Sequence, residues 1–339
     1  MAQASASRRV RAFGSNQSAT LYLHYPCFDG LISGVLSWEF LENNEGWKIE
    51  QVHPVNYNLR ESWLTTKLET PCAVADFLYH PRATFWADHH MTSFLTQRVS
   101  QNFKRRRRQA RLFYDPKAGS CATLLWKRLG SDLGGQERYR EMVAWAERID
   151  SATYSSVGEA ILGDAPALRI NFSLMVRSDE RYCEYLLTHL RRETLGQVAE
   201  LPEVLDRYKE QRSKTEAGLQ RLRNLIRLEP DGIAVFEAEA TEDAILNRYA
   251  PYHFFPEAKY SIGLVRSKRG ASITAMRNPW WEFRSIQLGK IFEEYGGGGH
   301  QRVGSVFLAN EDSAAGRERL NELLREMRAA MATTAQHRV

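Results

Sequence analysis

The chain is poor in cysteine. It has four in 339 residues, at Cys27, Cys72, Cys121 and Cys183, and no two of them form a CxxC pair. Such spacing suggests neither a disulfide framework nor a thiolate zinc site, and it fits a reducing, cytoplasmic compartment. No apolar run approaches the roughly 20 residues that a membrane helix needs, and no apolar segment follows the N-terminus, so neither membrane insertion nor export is expected. Acid is missing from two stretches. Residues 1–18 contain none, are rich in Ser, Ala and Arg and lack apolar periodicity, which predicts a disordered tail; the same composition also resembles an organellar transit peptide. From Arg98 to Arg111 there are seven Lys or Arg and no acid, with residues 104–108 reading KRRRR. That run reads as a solvated surface loop, the alternative being a contact to nucleic acid.

What is present has the length for two ordinary domains, each with its own core. A strand at residues 20–23 is followed by the polar turn His24-Tyr-Pro-Cys27-Phe-Asp29-Gly30 and then by helical spacing at Leu31, Val35, Leu36 and Phe40. Further strands are expected at 48–55, at 72–75 ending on Asp76, and at 83–87 before Asp88-His89-His90. Strands interleaved with helices predict a parallel α/β sheet, and such sheets bind ligands beyond the carboxyl ends of their strands. His24 with Asp29, Asp76, and the Asp88-His89-His90 cluster all fall at that edge. Tyr114 to Ser120 supplies turn residues and a helix cap, and a later helix carrying Met142, Val143, Ala146 and Ile149 delivers Asp150. Residues 181–229 read as largely helical, with charge pairs four apart. The last lobe restarts with strands at 232–236, 260–265 and 271–275, the third leading to Arg277. A helix at 286–295, the run Gly296-Gly-Gly-Gly299-His300 and a strand at 303–308 follow. Four consecutive glycines are costly in backbone entropy, so either the backbone approaches a ligand closely there or the run is a flexible tip. With His300 and Arg277 near it, an anionic ligand is preferred. No Lys-Ser/Thr follows, so this is not a P-loop.

Histidine and several aspartates converging on one sheet edge suit a divalent ion. Mixed oxygen and imidazole ligation favours Mn²⁺ over Ca²⁺, with Zn²⁺ second. Two such ions sharing a carboxylate would activate water for phosphate-ester hydrolysis.

The ordered set HxxCxDG, Asp76, DHH, Asp150 and GGGH closely resembles the DHH phosphoesterase superfamily with its DHH-associated C-terminal domain, over roughly residues 20–310. That family includes RecJ-type exonucleases, nanoRNases that also act on phosphoadenosine phosphate, cyclic di-AMP phosphodiesterases, exopolyphosphatases and inorganic pyrophosphatases. The resemblance implies a DHH metal-binding domain at 19–185, a helical connector at 186–229 and a smaller α/β substrate-binding domain at 230–330, with the active site in the cleft between lobes. It implies His24, Asp29, Asp76, His89 and Asp150 as metal ligands, with Asp76 bridging. Asp88 would support the site, His90 would face the substrate phosphate, and Arg277, Gly298, Gly299 and His300 would contact substrate. The cofactor would be one or two divalent ions, Mn²⁺ first, with Mg²⁺, Co²⁺ or Zn²⁺ as alternatives. The family often dimerises, so a homodimer is an option.

One departure stands out: Cys27 occupies the place where the family commonly has the first of two acids. A soft thiol beside a hard ion leaves that position weakened, shifted to another metal, or empty, and a buried small residue is the structural alternative. The expected activity is metal-dependent hydrolysis of short single-stranded oligonucleotides or small nucleotide phosphodiesters to nucleoside monophosphates. A phosphomonoesterase or exopolyphosphatase is the alternative within the class, and a catalytically silent nucleotide- or nucleic-acid-binding protein is the alternative outside it.

Overall fold

The computed structural model describes residues 17–108, 111–134, 136–177, 179–309 and 313–336. The expected tail therefore lies outside the described residues up to position 16. The first strand, β1 (Gln17–His24), already begins at Gln17, inside the stretch read as tail. After it come α1 (Phe28–Glu45), β2 (Trp47–Val55), β3 (Cys72–Ala75), β4 (Phe85–Asp88), α2 (Gln97–Arg106), β5 (Arg111–Tyr114), α3 (Cys121–Leu129) and α4 (Glu137–Asp150). Next are α5 (Val157–Leu162), α6 (Pro166–Ser173), α7 (Glu180–Leu190), α8 (Leu195–Ala199) and α9 (Pro202–Arg223). The chain divides into two compact units, one of residues 1–153 and 165–208 and the other of residues 154–164 and 209–339.

The first unit is built on a parallel sheet in the order β2-β1-β3-β4-β5. Its inner strands β1, β3 and β4 are largely buried on both faces, and alternation along each one feeds two separate cores. Leu21 and Leu23 of β1, Ala73 and Ala75 of β3, and Phe85 and Ala87 of β4 face the core that α1 supplies with Leu31, Val35 and Phe40. Tyr22, Val74 and Trp86 face the opposite core, with Val99 and Phe103 of α2. All five strands run the same way, so the carboxyl ends of β1, β3 and β4 lie along one edge.

Two sequence readings change here. The basic run was expected to be a loop, yet its first half is the last turn of α2, and β5 follows it. Lys104, Arg105, Arg107 and Arg108 are exposed, whereas Arg106 is half-buried: its guanidinium bonds the Tyr79 hydroxyl at 3.1 Å, the Ala83 carbonyl at 2.9 Å and the Pro81 carbonyl. Val99 and Phe103, spaced four apart, anchor the helix and outweigh the repulsion among its basic residues. Second, part of the stretch read as connector belongs to the first core. Leu186, Leu187, Leu190, Leu195 and Val198 are fully buried in it.

The second unit carries a mixed sheet of β6 (Arg227–Leu228), β7 (Ile233–Glu239), β8 (Tyr260–Ser267), β9 (Gly270–Arg277), β10 (Gly298–His300) and β11 (Val303–Leu308), in the order β10-β11-β9-β8-β7-β6. Strands β7 and β8 are parallel and the other pairs antiparallel. Its helices are α10 (Ala250–Phe254), α11 (Leu288–Glu293) and α12 (Ser313–Gln336). Leu288 and Phe292 of α11 and Leu320, Leu323 and Met327 of α12 close its core over Ile262, Leu264 and Ile273.

Candidate metal centre at the sheet edge

Each candidate ligand arrives by a distinct piece of local structure. His24 ends β1, and the turn after it delivers Cys27 as the residue capping α1 and Asp29 into that helix's first turn. Gly30 permits this: a Cβ there would lie 2.0 Å from the His24 carbonyl oxygen, so the helix start is pressed against the strand end. Asp76 leaves β3 with φ +56°, a left-handed conformation that Asp tolerates better than most residues, and its backbone N–H bonds the Ala87 carbonyl at 2.9 Å. Asp88 closes β4, and His89 and His90 follow it. Asp150 is the last residue of α4.

The side chains converge. His89 Nε2 lies 3.4 Å from Asp150 Oδ2, 3.7 Å from Asp29 Oδ2 and 3.8 Å from Asp76 Oδ1. His24 Nδ1 is 3.2 Å from Asp76 Oδ2. Three sets of ligand atoms each fall within 4.8 Å of one another: His24, Cys27 and Asp76; Asp76, His89 and His90; Asp29, His89 and Asp150. Asp76 and His89 each belong to two of the sets.

Two atoms at the heart of this cluster are buried without any hydrogen-bond partner among the described residues, Asp76 Oδ1 and His89 Nε2. Leaving such groups unsatisfied costs about 1–3 kcal/mol each. The remaining polar groups are well supplied. Asp29 accepts the backbone N–H groups of Cys121 at 2.7 Å and Ala122 at 2.9 Å, so its charge sits at the N-terminus of α3, where the helix dipole favours an anion. The Ala118 carbonyl, 3.1 Å from His89 Nδ1, holds that nitrogen as the N–H and leaves Nε2 as the bare ligand atom. Orphaned buried atoms of this kind, surrounded by oriented imidazoles and carboxylates, are what a divalent cation requires, and the residues fit one.

Ionisation follows the same geometry. Burial, then the charges of Asp29, Asp88 and Asp150, push the Asp76 carboxyl well above the usual carboxylate range. Burial, with the charges of His90 and His89 adding to it, pushes His24 down to about 4, which keeps it a neutral ligand at pH 7. Burial also opposes protonation of His90, but its hydrogen bond to Asp88 and the nearby carboxylates outweigh that and raise it. Cys27 keeps some surface exposure as a residue, yet its sulfur is crowded by protein atoms. That burial, followed by the charges of Asp76, Asp29 and Asp150, pushes the thiol well up.

Asp88 is fully buried, and its oxygens are engaged by its own neighbours. Its Oδ1 accepts the His89 N–H at 2.8 Å, the His90 N–H at 3.3 Å and His90 Nδ1 at 2.8 Å, while Oδ2 accepts the Ser93 hydroxyl at 2.6 Å. Sequence reasoning missed Ser93, the α3 N-terminus, and Tyr57, whose ring centroid stands 5.1 Å from that of His24 and 6.1 Å from that of His90. Ser120 was legible as a helix cap, and its side chain accepts the Thr123 N–H; that the same turn presents N–H groups to Asp29, 92 residues earlier, had no local signal.

In the second unit, Arg277 ends β9 and is buried. Its guanidinium donates to the Asn278 carbonyl at 3.0 Å and the Phe283 carbonyl at 3.1 Å and lies over the Phe283 ring. The glycine run, read as a ligand-approaching or flexible segment, is partly a strand: β10 pairs antiparallel with β11. Gly299, at φ +149°, has room for no side chain, since a Cβ would lie 2.1 Å from the Val303 carbonyl oxygen.

No protein-family model matches the sequence, and no curated protein does. Solved structures match the fold. A pGpG-specific phosphodiesterase, PggH, from Vibrio cholerae is 18% identical with a TM-score of 0.66, over 91% of this chain and 99% of that one. RecJ in complex with Mn²⁺ from Thermus thermophilus is 15% identical with a TM-score of 0.55, over 91% of this chain and 52% of that one. An exonuclease RecJ bound to manganese is also 15% identical, with a TM-score of 0.51, over 91% and 90%. These likenesses show that the chain shares the fold of these structures.

Proposed function

We infer that the protein is a metal-dependent phosphoesterase that hydrolyses short oligonucleotides or small nucleotide phosphodiesters to nucleoside monophosphates. The observation that carries this reading is the pair of partnerless buried atoms, Asp76 Oδ1 and His89 Nε2, at the centre of three overlapping ligand sets. The fold shared with a pGpG phosphodiesterase and with RecJ structures that contain Mn²⁺ supports it.

In this reading His24, Asp29, Asp76, His89 and Asp150 hold one or two divalent ions, Mn²⁺ first. When bound, such an ion acidifies a coordinated water and stabilises charge developing on phosphate oxygens. The chain's own residues do the rest. Asp76 belongs to two ligand sets and bridges them. The Ala118 carbonyl and the α3 N-terminus fix His89 and Asp29, so neither has to reorganise during the reaction. Asp88 positions His90 by engaging its Nδ1, which leaves Nε2 as the nitrogen for a substrate phosphate, and the raised basicity of His90 favours the imidazolium that such an anion would meet. Arg277, Gly298, Gly299 and His300 of the second unit are proposed as an anion-binding group. For Arg277 that role draws on the donors its two carbonyl bonds leave over.

A substrate panel tests the reading. A ribodinucleotide, a 3′,5′-bisphosphorylated adenosine and inorganic polyphosphate are each incubated with the protein and Mn²⁺, Mg²⁺, Co²⁺ or Zn²⁺, and the products are resolved chromatographically. Mononucleotide release from the dinucleotide is expected, abolished by chelator. Hydrolysis of the bisphosphate or polyphosphate alone would move the chain to a different substrate class, and no turnover with any ion would defeat the phosphoesterase reading.

A further inference from the structure

Cys27 stands apart from the other cysteines. Cys72, Cys121 and Cys183 are buried, whereas Cys27 keeps partial exposure, and its sulfur lies within 4.8 Å of ligand atoms of both His24 and Asp76. A cysteine present only to fill space would be expected among apolar side chains, as Cys183 is in the first core. Cys27 lies instead beside an imidazole and a fully buried carboxylate.

The local structure holds it there. Cys27 precedes α1 in an extended conformation, φ −150° and ψ 133°, and makes no side-chain capping bond to that helix. The close approach of Gly30 to the His24 carbonyl fixes the turn between them. Two residues on, Asp29 is drawn the other way, to the N-terminus of α3 and into the set with His89 and Asp150. One turn thus sends a thiol into one ligand set and a carboxylate into another. Asp76 belongs to the first of these, with an oxygen 3.2 Å from His24, and its other oxygen lies 3.8 Å from His89, a member of the second.

The geometry points to two unlike metal positions: one formed by His24, Cys27 and Asp76 that takes a borderline transition-metal ion of the Zn²⁺, Co²⁺ or Fe²⁺ class, and one formed by Asp29, His89 and Asp150 that takes a harder ion such as Mn²⁺ or Mg²⁺. The chemistry is that of the donor atoms. Thiolate and imidazole together favour borderline ions, whereas two carboxylates and one imidazole leave the hard ions competitive. Binding at the first position converts the Cys27 thiol to thiolate and releases its proton to solvent, and a metal–sulfur bond forms with no change of oxidation state. This inference rests on the metal-dependent reading above, but not on turnover.

The test uses Co²⁺ as an optical probe. Full-length protein freed of metal is titrated anaerobically with Co²⁺, with bound cobalt counted by equilibrium dialysis. A near-ultraviolet thiolate-to-Co²⁺ charge-transfer band is expected in the wild type and in Cys121→Ser, and not in Cys27→Ser, which keeps the size of the side chain and whose fold is checked by circular dichroism. In competition, Zn²⁺ is expected to remove the band at near-stoichiometric amounts and Mn²⁺ to leave it in place. Replacement by the harder ligand, Cys27→Asp, is expected to shift the preference toward Mn²⁺ by at least about tenfold. Cobalt bound without the band, or a band that survives Cys27→Ser, would overturn the inference. Failure to bind cobalt at all would overturn both it and the metal-dependent reading. A Cys27-dependent band in a protein that hydrolyses no nucleotide would uphold the inference and defeat only the proposed activity.

Discussion

At the scale of single residues, Asp76 bears most of the account. It is fully buried, carries a left-handed backbone, touches two ligand sets and has an oxygen with no partner among the described residues. Its carboxyl is pushed up by burial and by three neighbouring carboxylates, so without metal the folded state binds a proton that the unfolded state has already released. The stability from that proton is complete below about pH 4, the ordinary Asp value, and is lost as pH rises toward the folded pKa. Asp76→Asn removes the ionisation. In the presence of chelator the variant should be more stable than the wild type at pH 7–8. The difference should close as pH falls toward 4, and urea unfolding at a series of pH values reads it directly. A wild type that stays the more stable throughout would mean that Asp76 is satisfied without metal. The sequence marked Asp76 as a strand-end acid, and the resemblance implied that it bridges; that its two oxygens lie near His24 and His89 depends on the pairing of β3 with β1 and β4.

At the scale of elements, the strand–turn–helix from β1 into α1 is the piece that places ligands most tightly. Gly30→Ala would drive a methyl group into the His24 carbonyl. The strand or the helix start must then shift, at a cost of about 1–3 kcal/mol, and His24, Cys27 and Asp29 shift with it. The expected result is a lowered denaturation midpoint together with weakened divalent-ion binding. Loss of stability with metal affinity unchanged would show that the turn does not set ligand positions. Elements with clean periodicity were legible in the sequence: the strands at β1, β3 and β11, and the helix that ends on Asp150. Elements whose local composition conflicts with their environment were not. The α2–β5 segment is basic because its outward side is wet, while Val99, Phe103 and Leu112 bury its inner side. Strand β10 is all but glycine, so it has little propensity to show and is held as a strand by its ladder to β11.

At the scale of the whole molecule, the chain comprises two compact units with separate cores, and the first takes in helices that read as a connector. The Glu203–Arg207 pair, four apart on α9, suggested a solvated connector, yet Arg207 is itself buried, and Leu186, Leu187 and Leu190 of α7 with Leu195 and Val198 of α8 belong to the core beneath α1. Leu186, fully buried there, makes the point testable: Leu186→Ala should cost about 2–5 kcal/mol and lower the unfolding midpoint, whereas a connector leucine would change it by less than about 0.5 kcal/mol. The proposed metal ligands come from residues 24 to 150 of this one unit, gathered from three strand ends, the turn after β1 and one helix end, a long-range convergence that no sequence window contains. Its existence was nevertheless foreseeable, because parallel strands bring their carboxyl ends to one edge. The identities of the atoms left partnerless there were not.

The most direct measurement is equilibrium dialysis of the purified chain against Mn²⁺, with Asp76→Ala alongside. The account predicts at least one tightly held ion per chain in the wild type and an affinity lower by at least about tenfold in the variant. Equal binding by the two proteins, or none by the wild type, would contradict the claim that Asp76 and His89 form the heart of a metal centre.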